Sequence, residues 1–423
     1  MIQTGLIPNA HNDLVTDASY DFYGLHLATS SLDQRIKVWQ LDERNGNWTV
    51  EDDWKAHDAA ITRVSWAHPE FGTIIASSSF DRTVKIWEQT SYSELDAQAN
   101  GASSSSSGSR WVERASLIDA KGTVRAVEFA PQHFGLKLAA ISSDNYLRVY
   151  ECLEQPALTT WQLCEEVDVL SLPSTSPGGH PMPQTVTLAT PTQTSSTLDG
   201  ASAALAAHVA AQQQQTQMPN RPGLGTREAD GGWCIAWCKD HSWGEVIAAG
   251  CGVNGLVKII QVSPSRRPAT VLTLDPSPRS SADPAPRSPA IASEGDAPAP
   301  YSITSVAWAP SCGRSYQLIA TGSRDGHVRI WRVKPPSADE DDDGDHERSW
   351  TATIVGDFDD HKSAVGRVEW NITGTILSSA GSDGRVRLWK ATVGNVWRPA
   401  GHISVEQAEE QQDVDMNDDP SAD

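Results

Sequence analysis

"IIASSSFDRTVKIW" (residues 74–87) returns near the other end of the chain as "ILSSAGSDGRVRLW" (376–389). In each copy an aspartate, Asp81 or Asp383, stands six residues before a tryptophan, Trp87 or Trp389. Scanning for an acid or amide six residues before a large apolar residue finds four more copies: Asp33 to Trp39, Asp144 to Tyr150, Asn254 to Ile260 and Asp325 to Trp331. The six copies end IKVW, VKIW, LRVY, VKII, VRIW and VRLW, one template of aliphatic, basic, aliphatic and large apolar. Self-similarity of this kind marks a repeat architecture.

Each copy has the physics of a short β-meander. Before the turn lies a strand rich in Ala, Ser, Thr and aliphatics, such as "LATSS" at 27–31. Asp, Asn and Gly then supply turn chemistry because they tolerate the required backbone angles. The segment after the turn alternates with period two, which sends its basic residues to one face and its aliphatics to the other. Some 13 to 17 residues upstream of each turn stands another aromatic or tryptophan: Tyr20, Trp66, Phe129, Trp237, Trp308 and Trp370. A unit of at least three strands is predicted. One unit cannot bury its apolar faces alone; stacked radially, neighbours cover one another.

At this point the residues resemble the WD40 β-propellers, although the acid that follows Trp in that family is absent throughout. The resemblance implies, in each blade, a buried tetrad of a histidine from the loop leading in, a strand Ser or Thr, the turn Asp and the Trp. Matching residues are His11, Asp33 and Trp39; His57, Asp81 and Trp87; and His361, Asp383 and Trp389, with His-to-Asp separations of 22, 24 and 22. Blade three offers Asp144 and Tyr150, with Lys121 where the histidine belongs. Blade five offers Asp325 and Trp331 without an equivalent histidine, and blade four departs further, with Asn254 and Ile260. Those three blades are expected to be held more by packing than by the network.

Six units take about 300 residues as one all-β domain. We assign residues 1–10 to an N-terminal segment, 11–404 to the propeller and 405–423 to an acidic disordered tail. Ser-, Pro-, Ala- and Gln-rich or acidic stretches near 94–109, 172–230, 263–300 and 334–348 carry too little apolar surface to offset ordering. They are expected to be disordered loop insertions. The net charge of −21 is largely local, with seven acids between 339 and 347 and eight in the tail. Without a basic arm the chain makes a poor direct ligand for nucleic acid. Six scattered cysteines, no secretion signal and no apolar run of bilayer length predict a reducing compartment.

Candidate chemistry is sparse. Cys234 and Cys238, with His241 nearby, have two metal-ligand types, but i and i+4 positions beside a strand end are expected simply to share an apolar face. The His, Ser and Asp sets have the residue types of a hydrolase triad, yet they repeat blade by blade, as structural tetrads do and an active site does not. "DFDDH" (357–361) is expected to be solvated loop charge. No Gly-rich phosphate loop follows a strand and opens a helix. The chain is therefore expected to be no enzyme, with no cofactor and no metal.

Longer stretches, including "HNDLVTDASYDFYGLHLATSSLDQRIKVW" (11–39), "FAPQHFGLKLAAISSDNYLRVYECLE" (129–154) and "VEWNITGTILSSAGSDGRVRLWKA" (368–391), are similar to the Seh-type nucleoporins. That resemblance implies a structural subunit of the Y-shaped scaffold of the nuclear pore, located at the nuclear envelope and supporting protein and mRNA transport. It also implies membership in a vacuole- or lysosome-associated complex that regulates TOR signalling. The partner implied is an α-solenoid scaffold nucleoporin that inserts a blade in trans. Consistent with an open ring, residues 1–10, "MIQTGLIPNA", show no second copy of a closing strand; fold physics alone allows a closed six-bladed ring equally. An open six-bladed WD40 β-propeller is the fold expected, with its gap bordered by residues 1–20 and 390–405. A COPII vesicle-coat propeller and a ubiquitin-ligase substrate receptor are the competing functions.

Overall fold

A computed structural model of the chain describes residues 7–90, 110–155, 157–173, 230–263, 266–276, 301–335 and 350–404. It contains six four-stranded antiparallel sheets, each a meander of strands consecutive in sequence. Blade one is β1 (Val15–Tyr20), β2 (His26–Ser31), β3 (Arg35–Asp42) and β4 (Asn47–Lys55). Blade two is β5 (Ile61–Trp66), β6 (Ile74–Ser79), β7 (Val84–Gln89) and β8 (Trp111–Leu117). Blade three is β9 (Val124–Phe129), β10 (Lys137–Ser142), β11 (Tyr146–Cys152) and β12 (Trp161–Asp168). Blade four is β13 (Gly232–Trp237), β14 (Val246–Gly252), β15 (Val257–Ser263) and β16 (Arg266–Leu274). Blade five is β17 (Ile303–Trp308), β18 (Gln317–Ser323), β19 (Val328–Lys334) and β20 (Thr351–Phe358). Blade six is β21 (Val365–Trp370), β22 (Ile376–Gly381), β23 (Arg385–Ala391) and β24 (Trp397–Ser404). No helix is long and apolar enough to cross a membrane among the described residues.

The repeated acid or amide has a local cause. In every blade its side chain accepts the backbone N–H two residues on: Asp33 from Arg35 (3.0 Å), Asp81 from Thr83 (2.9 Å), Asp144 from Tyr146 (3.1 Å), Asn254 from Leu256 (3.2 Å), Asp325 from His327 (3.0 Å) and Asp383 from Arg385 (3.2 Å). This Asx-type bond closes the turn between the second and third strands. The residue between has positive φ, which glycine meets at Gly255, Gly326 and Gly384 and which Gln34, Arg82 and Asn145 adopt at a cost.

Packing between blades is apolar. One core joins Ala28, Ile36 and Val38 of blade one to Ile61, Ile75 and Trp87 of blade two. Four further cores join blades two and three, three and four, four and five, and five and six. The inner strands follow the same order, β1 against β5, β5 against β9, β9 against β13, β13 against β17 and β17 against β21. Six blades are thus joined by five cores. No core cluster joins blade six to blade one among the described residues.

Each unit, expected to hold at least three strands, has four, the outer one pairing along the edge of the third. One expectation is corrected. The proposed insertion at 263–300 begins too early: "RRPATVLTL" is β16, paired with β15 from Val257↔Leu274 to Ser263↔Arg266. An outer strand has one edge free and needs little apolar content, so composition hid it. Leu172, at the start of the 172–230 stretch, packs on the core of blades three and four. The remainder of these stretches and the tail from 405 lie outside the described residues, apart from a few positions at their margins.

Candidate binding slot between the first and last blades

Blades one, two and six each carry a complete tetrad. In blade two, His57 meets Asp81 through Nδ1 (2.8 Å) and Ser77 through Nε2 (2.7 Å), and the Trp87 indole N–H donates to the Ser77 hydroxyl oxygen (2.9 Å). One proton arrangement satisfies all four: Nδ1–H donates to the carboxylate, Nε2 accepts the Ser77 hydroxyl proton, and the hydroxyl oxygen accepts the indole. Blade one repeats this with His11, Asp33 (3.1 Å), Thr29 (2.8 Å) and Trp39 (2.9 Å to Thr29). Blade six repeats it with His361, Asp383 (3.0 Å), Ser379 (2.8 Å) and Trp389 (2.8 Å to Ser379). Burial lowers the His11 pKa against the pull of Asp33. His57 and Ser77 are buried and the hydroxyl is already doubly engaged, so no substrate reaches this set as it would a hydrolase triad.

Blades three and five are not held by packing alone. The buried Arg148 guanidinium of β11 donates to Asp144 (2.8 Å) and to Glu166 of β12 (3.0 Å), and the Ser142 hydroxyl donates to Asp144. Arg329 of β19 likewise reaches Asp325 (3.4 Å) and Asp357 of β20 (3.2 Å), while the Trp331 indole donates to Thr321 (3.1 Å). In these two blades, which lack the histidine, arginine from the basic position of the third strand takes the turn aspartate, as Arg387 also takes Asp383 beside His361 in blade six. Tyr150, at the Trp position of blade three, is buried, and burial together with Asp119 pushes its phenol up. Blade four has Ile260 there and relies on packing. Cys234 and Cys238 share the core of blades four and five, and burial pushes both thiols up to about 12.

The exposed chemistry lies at the missing interface. On blade six, Val386 of β23 is 37% exposed, whereas Ile36, Val84, Leu147, Val257 and Val328 at the same template position are 2% or less. Ile376, Ala380 and Leu388 beside it are half-buried, and the pairs Ala380↔Val386 and Ser378↔Leu388 make them one sheet face. On blade one, Val15 is 50% exposed, against 4% or less for Ile61, Val124, Ile303 and Val365. Ala18 is exposed where Val64, Val127, Ile235, Val306 and Val368 are buried. Tyr20 is also exposed, and leans on Trp48 of its own blade. Its counterparts Trp66 and Trp370 instead donate their indole N–H to the preceding blade, at Ser19 O (2.9 Å) and Ala307 O (3.1 Å).

The hub bridges the slot. Buried Asp17 of β1 ion-pairs with Arg367 of β21, lies 3.6 Å from Arg63 of β5 and accepts the Val64 N–H at 3.0 Å. The walls are therefore two half-covered sheet faces joined by a charged pair at the axis. A complementary insert is a β-sheet apolar on both faces, since stacked sheets lie about 10 Å apart. Its burial of each Val, Leu or Ile side chain is worth about 1.5–3 kcal/mol. The expected border at 1–20 and 390–405 is half right: Val15, Ala18 and Tyr20 do line one wall. The other wall is 376–388, because 397–404 forms the outer strand β24 rather than a face.

The WD domain, G-beta repeat family matches residues 4–40, 48–88, 297–332 and 352–390, which fall on blades one, two, five and six. Over nearly the whole chain there are similar proteins. Nucleoporin SEH1 of Saccharomyces cerevisiae is 33% identical over 94% of this chain and 99% of its own length. Nucleoporin seh1 of Schizosaccharomyces pombe is 30% identical over 97% and 98%, and Nucleoporin SEH1 of Homo sapiens 32% identical over 92% and 85%.

Proposed function

The chain belongs to the SEH1 nucleoporin family of WD40 propellers, and from that premise we propose that it is a non-catalytic scaffold subunit of the nuclear pore complex. Its slot receives a blade from an α-solenoid scaffold nucleoporin of the Y-shaped subcomplex, which joins the sheet stack in trans. Supporting protein and mRNA transport follows from that structural place at the nuclear envelope. The observation that carries this is the count of cores: six blades and five apolar interfaces, with Val15 and Val386 facing the vacancy. A ubiquitin-ligase receptor built on a closed ring would have no such vacancy, and the similarity to nucleoporins in three organisms favours the pore over a COPII coat. A TOR-regulating complex at the vacuolar or lysosomal membrane would use the same slot, so its partner and the pore partner would exclude each other.

Affinity purification of the chain, with and without Leu388→Asp, tests the proposal. Pore scaffold proteins should co-purify with the unaltered chain and be lost from the variant, while the variant stays folded by thermal melt. Equal recovery from both would remove the slot as the binding site.

A further inference from the structure

The connection between the first two strands of each blade carries an apolar residue, and its fate depends on the blade. Phe71, Phe134, Trp243 and Tyr316, in blades two to five, are partly buried and pack on the core shared with the next blade. Blades one and six differ. Phe22 and Tyr23 are 65% and 67% exposed, and Ile372 is 90% exposed. Phe22 meets Tyr23 edge-on (5.3 Å between ring centroids) and His68 of blade two (4.8 Å), contacts that hold the ring without covering it. Val393 and Val396, in the β23–β24 connection of blade six, are exposed as well.

These residues share one face of the ring. The inner strands run in one direction: Val64 and Trp66 of β5 donate to Asp17 and Ser19 of β1, and Val368 and Trp370 of β21 donate to Ser305 and Ala307 of β17 in the same register. Connections that follow β1 and β21 therefore emerge together. In blade six the pairs Ile376↔Lys390 and Ala391↔Trp397 bring the β23–β24 connection to that face too.

We propose that they form a second, outer contact for the polypeptide that enters the slot. An amphipathic helix, continuing from the inserted sheet on this face, lies across the slot mouth with Phe22 and Tyr23 under one end and Ile372 and Val393 under the other. The inference rests on the scaffold reading and extends it to a surface outside the slot. Position selects the occupant. The slot itself divides the patch into two halves, so a chain that enters or leaves there passes between them. In the connections after each first strand, all within the described residues, exposed large apolar side chains occur only in the two blades that border the slot. Single exposed apolar residues such as Leu153 of blade three need no partner, whereas a patch on both sides of one opening does. Dimensions agree. Stacked sheets lie about 10 Å apart, so one inserted sheet sets the two blades about 20 Å apart. A helix spans that distance in about 14 residues, and an α-solenoid is built of helices with an apolar stripe to offer.

The test uses the full chain co-expressed with an α-solenoid scaffold nucleoporin of the Y-shaped subcomplex. Hydroxyl-radical footprinting of the purified complex should show Phe22, Tyr23 and Ile372 oxidised more slowly than in the free chain, with Leu153 unchanged. Phe22→Ser combined with Tyr23→Ser should weaken the complex at least about tenfold, and Leu153→Ser should leave it unchanged. The footprint is read on unaltered protein, so it decides the matter even where the double variant folds poorly. Unprotected Phe22, Tyr23 and Ile372, in a complex that Leu388→Asp still abolishes, would overturn the outer contact and leave the slot standing. A complex indifferent to Leu388→Asp, or no complex with the unaltered chain, would remove the slot reading and this inference with it. Dimerisation of the isolated chain in sedimentation, lost in the double variant, would assign the patch to a second copy and overturn the proposal as well.

Discussion

Blades two and six carry almost the same fourteen residues and the same tetrad, yet they are physically unlike. Val84 and Ile86 of blade two are covered by β9 and β10 of blade three, in a core that includes Val124, Val127 and Leu138. Val386 and Leu388 of blade six face outward, and β23 has only Trp389 fully buried. The template is apolar at these positions because a neighbour is required; in blade six the neighbour must come from another molecule. An exposed apolar face of this kind, matched by Val15, Ala18 and Tyr20 on the opposite wall of the slot, is the mark of an interface rather than of a poorly built blade.

The sharpest way to break the comparison is to place a charge at equivalent positions. Ile86→Asp should destabilise the isolated chain by more than about 4 kcal/mol, since the carboxylate is buried without a partner. Leu388→Asp, at a half-buried position where solvent reaches the carboxylate, should cost at least about 2 kcal/mol less and act mainly on partner binding. Chemical denaturation of the two variants measures both; equal losses would mean that the slot is closed in solution.

Next in size is the arginine network of blade three. Arg148→Met should cost about 3–5 kcal/mol by leaving Asp144 and its hydroxyl partner buried without their cation. A cost under about 1 kcal/mol would return blade three to packing alone. Thermal melts of this variant beside His57→Ala would compare the two kinds of network directly.

A smaller effect separates blades two and six by pH. Burial pushes the Asp383 carboxyl up, but Arg387, His361 and the Arg385 N–H outweigh it and hold the group at about 2, below its ordinary 3.8. Asp81 is held lower still, with His57 and Thr83 outweighing burial. A carboxylate depressed on folding contributes stability above its unfolded pKa and loses it as pH falls through the folded one. Between pH 3.8 and about 2, blade six should therefore loosen before blade two. Hydrogen exchange of β23 and β7 amides over that range checks the order, and Asp383→Asn should flatten the response of β23 alone. The smallest effect expected is that of ending the chain at Ser404, which should leave melting temperature and scaffold-partner recovery unchanged, because β24 is complete without the tail.

Much of this was legible beforehand. The six turn residues identified the blades because an Asx bond is local: it needs only the side chain and the N–H two residues on. The three His–Asp pairs were legible because their spacing is set by one blade's own strands. The Arg148 and Arg329 networks were missed because a basic residue in an alternating strand is ordinarily solvent-facing; here the turn aspartates and the carboxylates of β12 and β20 together draw these two inward. The outer strand β16 was missed for a related reason, since a strand covered on one side carries a weak pattern.

Sequence alone determined the number of blades, the turn geometry and which residues are apolar, all of which depend on contacts within about twenty residues. It did not determine which apolar residues would be covered. Val386 and Val328 occupy the same position in the same template, and one is exposed while the other is buried. That difference follows from the ring having two ends, and the ends of a stack are defined only once the blades are packed.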